Sequence, residues 1–203
     1  MKRVALDGLA GGGPEAREIA RALRAGAVLA IPTESSYGLA VDPRSESGVR
    51  RIRQIKGREA GKALLVLAAD RAQLEGLGIA ATKEALEHYL ALWPAALTVI
   101  LPLAAPLPAS CGAPTIAVRI PAHAQLRSLL EETGPMTATS LNRSGQEPCV
   151  DPDDAERLFG DELDVLVDGG ITAGGPPSTL LDATVDPPRV LRAGAFPWPP
   201  ASR

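Results

Sequence analysis

Several short segments hold side chains whose types and spacing could do chemistry. In IPTESSYGL an apolar run ends at Pro32 and is followed by Thr33, Glu34, Ser35 and Ser36. In open α/β sheets ligands bind outside the carboxyl ends of the strands, so Thr33 presents a hydroxyl where a substrate could sit. Gly38 lets backbone come close. The same residue types also make ordinary strand-to-turn connections. In KGREAGK, Lys56, Arg58 and Lys62 share a loop with Gly57 and Gly61. Arginine supplies a planar fork and lysine a mobile point charge, so the three suit an oligophosphate. A solvated basic face is the plain alternative. The loop is not a P-loop, because it lacks the GxxxxGKS or GxxxxGKT string.

Arg119 stands in the otherwise apolar segment TIAVRI. Arginine is rarely buried unpaired, so it calls for an anion, either a protein carboxylate or a substrate carboxylate. Thr115 lies four residues earlier and falls on the same face of a regular strand. In TSLNRSG, Ser140, Asn142 and Ser144 alternate, which would point all three to one side of an extended chain. Their groups could bind a phosphate, a ribose or a base, or simply form a polar turn. PPSTLLD adds Ser178 and Thr179, and RAG adds Arg192 and Gly194.

No HExxH, no GxSxG and no paired-carboxylate motif occurs. His88 and His123 lack any motif context and read as structural or surface residues. No protein metal cage is expected. Cations and positioned hydroxyls without a nucleophile fit phosphoryl or nucleotidyl transfer, where positioning and charge stabilisation dominate.

The net charge of −3 argues against a dedicated nucleic-acid binder. Aromatic residues, at 3%, are too few for a base-stacking platform. Yet Arg44, Arg50, Arg51, Arg53, Lys56, Arg58 and Lys62 crowd one short stretch, which suits a small anionic ligand better than a polyanion. No apolar run approaches the ~20 residues that span a bilayer, and the first residues make a poor secretory signal. Cys111 and Cys149 have no CxxC partner, which fits a reduced, cytoplasmic protein.

The elements that must position these groups follow from periodicity. The 203 residues suit a single domain over 1–203, with no repeat and no dividing linker. A helix is expected from Pro14 to just before Gly26, then a buried strand over 28–31 stopped by Pro32. Val49, Ile52 and Ile55 mark a helix over 47–55 with its arginines toward solvent. Strands are expected at 64–68, 97–103, 115–120, 136–140, 164–168, 178–184 and 189–194. Helices are expected at 83–93, 125–132 and 153–159, the last with Asp151 as a cap. Residues 195–203 read as an extended or loose tail. The interleaving gives an α/β fold with a sizeable mixed sheet.

Each segment is weak alone, but their order is specific. PTE with YGL, then KxR plus a further lysine, then WP before a strand, then AVRIP, TSxNxSG, PSTLLD and RxG together resemble the YrdC-like threonylcarbamoyl-AMP synthase family. The resemblance covers 16–194 and is closest to the short form. It implies a YrdC/RibB-like α/β fold: a twisted mixed sheet with flanking helices around a deep, positively charged cavity. It implies an enzyme, a nucleotidyltransferase that makes threonylcarbamoyl-AMP and pyrophosphate from L-threonine, bicarbonate or CO2, and ATP for the threonylcarbamoyladenosine modification of tRNA. By position, Thr33, Arg119, Ala138 and Ser178 fall where the family holds L-threonine, with Arg119 on its carboxylate. Arg58, Lys62, Thr115, Ser140, Asn142, Pro148 and Arg192 fall where it holds ATP. Lys56 and Arg58 take the catalytic positions, neutralising the phosphates or the carboxylated amino acid. Mg2+ would be held mainly by the ATP phosphates. The implied partners are a tRNA threonylcarbamoyl-transferase complex and a weak tRNA contact, with no membrane.

The chain departs from the family pattern at four places. Glu59 replaces the usual proline after KxR, and WPAA replaces WPGP. Leu67 stands where many members carry a histidine. Leu141 replaces a small residue and is expected to narrow the pocket. Two other readings keep parts of this pattern: a carbamoyl-adenylate-forming relative with another acceptor, as in hydrogenase maturation, and a non-catalytic RNA-binding module.

Overall fold

The computed structural model describes residues 1–9, 11–57 and 62–200. In chain order the elements are β1 (Lys2–Ala5), α1 (Pro14–Arg24), β2 (Leu29–Pro32), β3 (Tyr37–Ala40), α2 (Glu46–Lys56), β4 (Val66–Leu67), α3 (Arg71–Gly76), α4 (Lys83–Leu92), β5 (Leu97–Pro102), β6 (Thr115–Arg119), α5 (Ala124–Thr133), β7 (Met136–Thr137), β8 (Thr139–Ser140), α6 (Pro152–Phe159), β9 (Val165–Asp168), β10 (Thr179–Asp182) and β11 (Arg189–Arg192).

The helices begin where capping chemistry allows. Pro14 opens α1, where its missing N–H costs nothing. Ser45 accepts from Gly48 N at the start of α2, Thr82 from Ala85 N at α4, and Asp151 from Asp153 N at α6. His123 accepts from Leu126 N at α5, so this histidine is structural. At its other end α2 stops at Gly57, whose φ of +57° suits glycine. Trp93 and Pro94 terminate α4, as proline must.

The expected α/β architecture holds, but the strands divide into two mixed sheets. One has the order β1-β9-β2-β3-β8 and the other β11-β10-β5-β6-β4-β7. Residues 136–140 read as one strand in the sequence. Instead Met136 and Thr137 pair with β4 in the second sheet, while Thr139 and Ser140 pair with β3 in the first. The chain changes sheets at Ala138. The segment IPTESSYGLA is likewise a hairpin, with β2 antiparallel to β3 and Pro32 opposite Tyr37. Pro32 is therefore the last residue of β2 rather than a stop after it.

Both faces of β2 are buried, as expected for a strand with covered faces. Leu29 and Ile31 join α1 and α5 in one apolar cluster through Ile19, Leu23, Leu126 and Leu130. Val28 and Ala30 face the other cluster, which gathers Val49, Ile52, Val66, Val99 and Val118 from α2 and the second sheet. Residues 195–198 of the expected loose tail are anchored. Ala195 N donates to Pro177 O, and Thr179 Oγ1 donates to Phe196 O at 2.5 Å. Phe196 and Trp198 pack on the core, because aromatic rings bury large apolar areas. Trp198 also meets the edge of His88. No described helix is long and apolar enough to cross a membrane.

Candidate active site

A cavity of about 850 Å³ draws its walls from both sheets. The β2–β3 turn brings Thr33 and Ser36, β3 brings Gly38, and β8 brings Ser140. The second sheet brings Thr98 from β5, Ala117 and Arg119 from β6, and Arg192 from β11. Ala138, at the point where the chain changes sheets, also faces it. Lys62, Arg119 and Arg192 are the described cations of this wall, and Glu147 is its described carboxylate.

Thr33 is buried, and its hydroxyl donates to Ser36 O at 2.7 Å. Its oxygen keeps lone pairs for a donor on a ligand. Arg119 closes β6 and is only 5% exposed. Its Nη2 lies 3.2 Å from Glu34 Oε2, an ion pair without hydrogen-bond geometry, and its Nε is buried with no hydrogen-bond partner. Burial pushes the guanidinium below its ordinary range. Glu34 opposes that shift and nearby Arg192 adds to it. Both anions that the sequence left open are thus in play: a protein carboxylate is present, yet buried donor capacity is left over.

On the adjoining wall, Ser178 Oγ shares a 2.7 Å hydrogen bond with Thr98 Oγ1. Arg192 Nη2 donates to Ser178 O at 2.9 Å and Nε to the same oxygen at 3.3 Å. The SxN turn is built from below. Lys56 is 2% exposed, and its Nζ donates to Ser140 O, Ser140 Oγ and Asn142 Oδ1. Ser140 Oγ also donates to Asn142 Oδ1 at 2.7 Å. Lys56 and Asn142 thus stand behind Ser140 and outside the cavity lining.

The other sequence candidates distribute as follows. Ala138, Pro148, Ser178, Lys62, Ser140 and Arg192 line the cavity together with Thr33 and Arg119. Thr115 shares its strand face with Ala117 and Arg119 but is outside the lining. Ser144 is exposed in a turn, because β8 ends at Ser140 and the alternation does not continue. Arg58 and Glu59 lie outside the described residues. Leu141 does not narrow the pocket. It is fully buried in the larger apolar cluster, held by Leu141 N to Tyr37 O and Cys149 N to Leu141 O. Leu67 likewise points into the cluster around α1 and α5.

Thr98 and Glu147 line the cavity and Glu34 stands behind Arg119, but little in the sequence marks them. Glu34 was visible only as part of a polar turn; its partner Arg119 is far along the chain. Thr98 sat unremarked inside an apolar strand, where an isolated hydroxyl is the signal that could have found it. Among the described residues no group of His, Cys, Asp and Glu could hold a metal ion.

The family model Sua5_yciO_yrdC, described as Telomere recombination, matches residues 21–194. The chain belongs to this family. Among its relatives, a threonylcarbamoyl-AMP synthase of Pyrococcus abyssi is 37% identical over 179 residues, which cover 86% of this chain and 52% of that protein. A threonylcarbamoyl-AMP synthase of Thiobacillus denitrificans is 36% identical over 174 residues, covering 84% of this chain and 91% of that one. The chain thus spans about half the length of the first relative and most of the second. The solved structure of P. abyssi Sua5 complexed with L-threonine superposes with a TM-score of 0.83 at 32% identity, over 97% of this chain and 58% of that one. E. coli YciO, at 24% identity and a TM-score of 0.77, shares the fold over 96% of this chain. Every segment that carries the sequence pattern falls within the residues 21–194 matched by the family model.

Proposed function

We propose that this chain is an L-threonylcarbamoyladenylate synthase, an ATP-dependent enzyme whose product feeds the threonylcarbamoyladenosine modification of tRNA in the cytoplasm. The observation that carries the reading is Arg119: a buried arginine on the cavity wall whose Nε has no hydrogen-bond partner. A planar guanidinium with spare donors matches a substrate carboxylate. The likeness to Sua5 bound to L-threonine supports the same assignment. The chain acts as one unit in this reading, because the cavity takes its walls from Thr33 through Arg192.

Thr33, Arg119, Ala138 and Ser178 receive L-threonine, with its carboxylate on Arg119. Lys62, Ser140, Pro148 and Arg192 receive ATP, joined by Thr115 and Arg58, while Asn142 supports Ser140. Lys56 serves the nucleotide by fixing the Ser140–Asn142 turn. The threonine amine adds to CO2, or to bicarbonate with loss of water, and gives up a proton, giving N-carboxy-threonine. An oxygen of the new carboxylate bonds to the α-phosphorus of ATP, the bond to the bridging oxygen breaks, and pyrophosphate leaves. No protein nucleophile enters. Lys62 and Arg192 oppose the phosphate charge, and the rigid walls align attacking and leaving oxygens. The described residues offer no carboxylate cage for Mg2+, so the ion would arrive on the phosphates. A tRNA-modifying transferase would take up the product.

The test is release of pyrophosphate from ATP in bicarbonate buffer, with and without L-threonine. Threonine-dependent release is expected. Equal ATP cleavage in both conditions would refute the assignment.

A further inference from the structure

Glu34 links three parts of the molecule with one carboxylate. It sits in the turn between β2 and β3 of the first sheet. Its Oε1 accepts from Ala122 N at 2.8 Å, in the segment that leads into α5. Its Oε2 lies 3.2 Å from Nη2 of Arg119, at the end of β6 in the second sheet. Oε2 has no hydrogen-bond partner, and neither has Arg119 Nε. The bond to Ala122 fixes one oxygen and thereby aims the other at the guanidinium. Side-chain exposure is 23% for Glu34 and 7% for Arg119, so solvent screens this pair little.

Among the described residues Arg119 has no ion pair besides Glu34. It is a long side chain at a strand end, and Arg192 on the same cavity adds a like charge nearby. Left without a carboxylate, a buried guanidinium beside a second cation is driven toward water. We propose that Glu34 is the positioning residue for Arg119, holding the guanidinium against the cavity wall from the opposing sheet so that its unused donors meet the carboxylate of an α-amino acid. This inference rests on the reading of Arg119 as the carboxylate receptor.

Two effects of removing Glu34 oppose each other, which makes the sign of the result decisive. Loss of its negative charge alone would strengthen the pull on an anionic substrate. Loss of positioning would weaken binding, and orienting partners one step behind a ligand typically matter by about 10–100-fold. Positioning predicts the second outcome.

The experiment is steady-state pyrophosphate release by wild type, Glu34→Gln and Glu34→Asp, varying L-threonine and ATP separately, with thermal unfolding of each. Glu34→Gln keeps an oxygen for Ala122 N but removes the charge facing Arg119. The expected result is a KM for threonine raised about tenfold, a KM for ATP within about twofold of wild type, and a near-normal melting temperature. Glu34→Asp, charged but one methylene short, should fall between. A threonine KM that is unchanged or lower overturns the proposal, and so does an equal rise in both KM values. If Glu34→Gln does not fold, the threonine KM of Glu34→Asp decides by the same criteria. A wild type without threonine-dependent turnover overturns the functional reading and this inference together. An active wild type with an indifferent Glu34→Gln overturns this inference alone.

Discussion

Lys56 Nζ donates to Asn142 Oδ1 at 2.7 Å and to the Ser140 carbonyl at 2.5 Å, so the last residue of α2 holds the turn that follows β8. A buried ammonium bonded this way is a structural strut. Lys56→Met keeps the length but strips the donors from buried acceptors. It should cost about 3 kcal/mol and lower the melting temperature by about 6–12 °C. Turnover should fall about 100-fold, because Ser140 loses its position. Calorimetry and pyrophosphate release measure the two effects. Lost activity with unchanged stability would mean that the ammonium meets substrate instead.

Leu141 separates two readings of one residue. A leucine on the cavity wall would alter substrate affinity when truncated. A leucine in the core would alter stability. Leu141 is fully buried in the larger apolar cluster, so Leu141→Ala should cost about 2–5 kcal/mol and leave both KM values near wild type. Denaturant unfolding together with kinetics distinguishes the outcomes.

Gly194 is fixed by lack of room. A Cβ built there would lie 2.1 Å from Pro177 O and 2.6 Å from Thr179 N. Gly194→Ala must push the end of β11 away from the segment 177–179, and Arg192 would lose its bonds to Ser178 O. The expected cost is about 1–3 kcal/mol. Both KM values should rise, because the proposed function assigns Ser178 and Arg192 to different substrates. Glu34→Gln, by contrast, should affect threonine alone.

Tyr37 gives the fold a dependence on alkaline pH. Its buried hydroxyl donates to Gly170 O at 2.9 Å and accepts from Gly169 N at 3.1 Å. Burial pushes its pKa from 10.0 up to about 12. Between these values the unfolded chain loses the proton while the folded chain keeps it. The contribution is therefore complete below pH 10 and is lost as pH rises toward 12. Tyr37→Phe should cost about 1–3 kcal/mol at neutral pH and flatten the alkaline decline. Urea unfolding across pH 8 to 12 would reveal a residual slope if another group were responsible.

The sequence was most legible where local rules acted alone. Val49, Ile52 and Ile55 marked α2, and Ser45 and Gly57 confirm it as cap residues. Arg119 announced itself as a cation in an apolar strand. What stayed hidden depended on partners far along the chain. Lys56 reads as a phosphate-facing cation of a basic loop, yet folding turns it inward toward Ser140, 84 residues away. Residues 136–140 have the composition of one strand, and nothing local says that Thr137 and Thr139 pair in different sheets. Leu141 reads as a pocket residue because it replaces a small residue of the family pattern, but the turn after Ser140 rotates it into the core. Val66 and Leu67 form a strand much shorter than the apolar run 64–68, because pairing partners limit its length.

The change of sheet at Ala138 sets a limit on length rather than on side-chain identity. Thr137 N reaches Val41 O, Ala138 N reaches Leu65 O, and Gly38 and Leu39 pair with Ser140 and Thr139. One residue more or fewer between Met136 and Ser140 would slip every one of these pairings and turn Ser140 away from the cavity. Insertions should therefore be tolerated in the exposed turn 184–187 between β10 and β11 and rejected here. Under the proposed function the segment would be a fixed-length spacer between the places of two substrates, and so would set the distance over which they react.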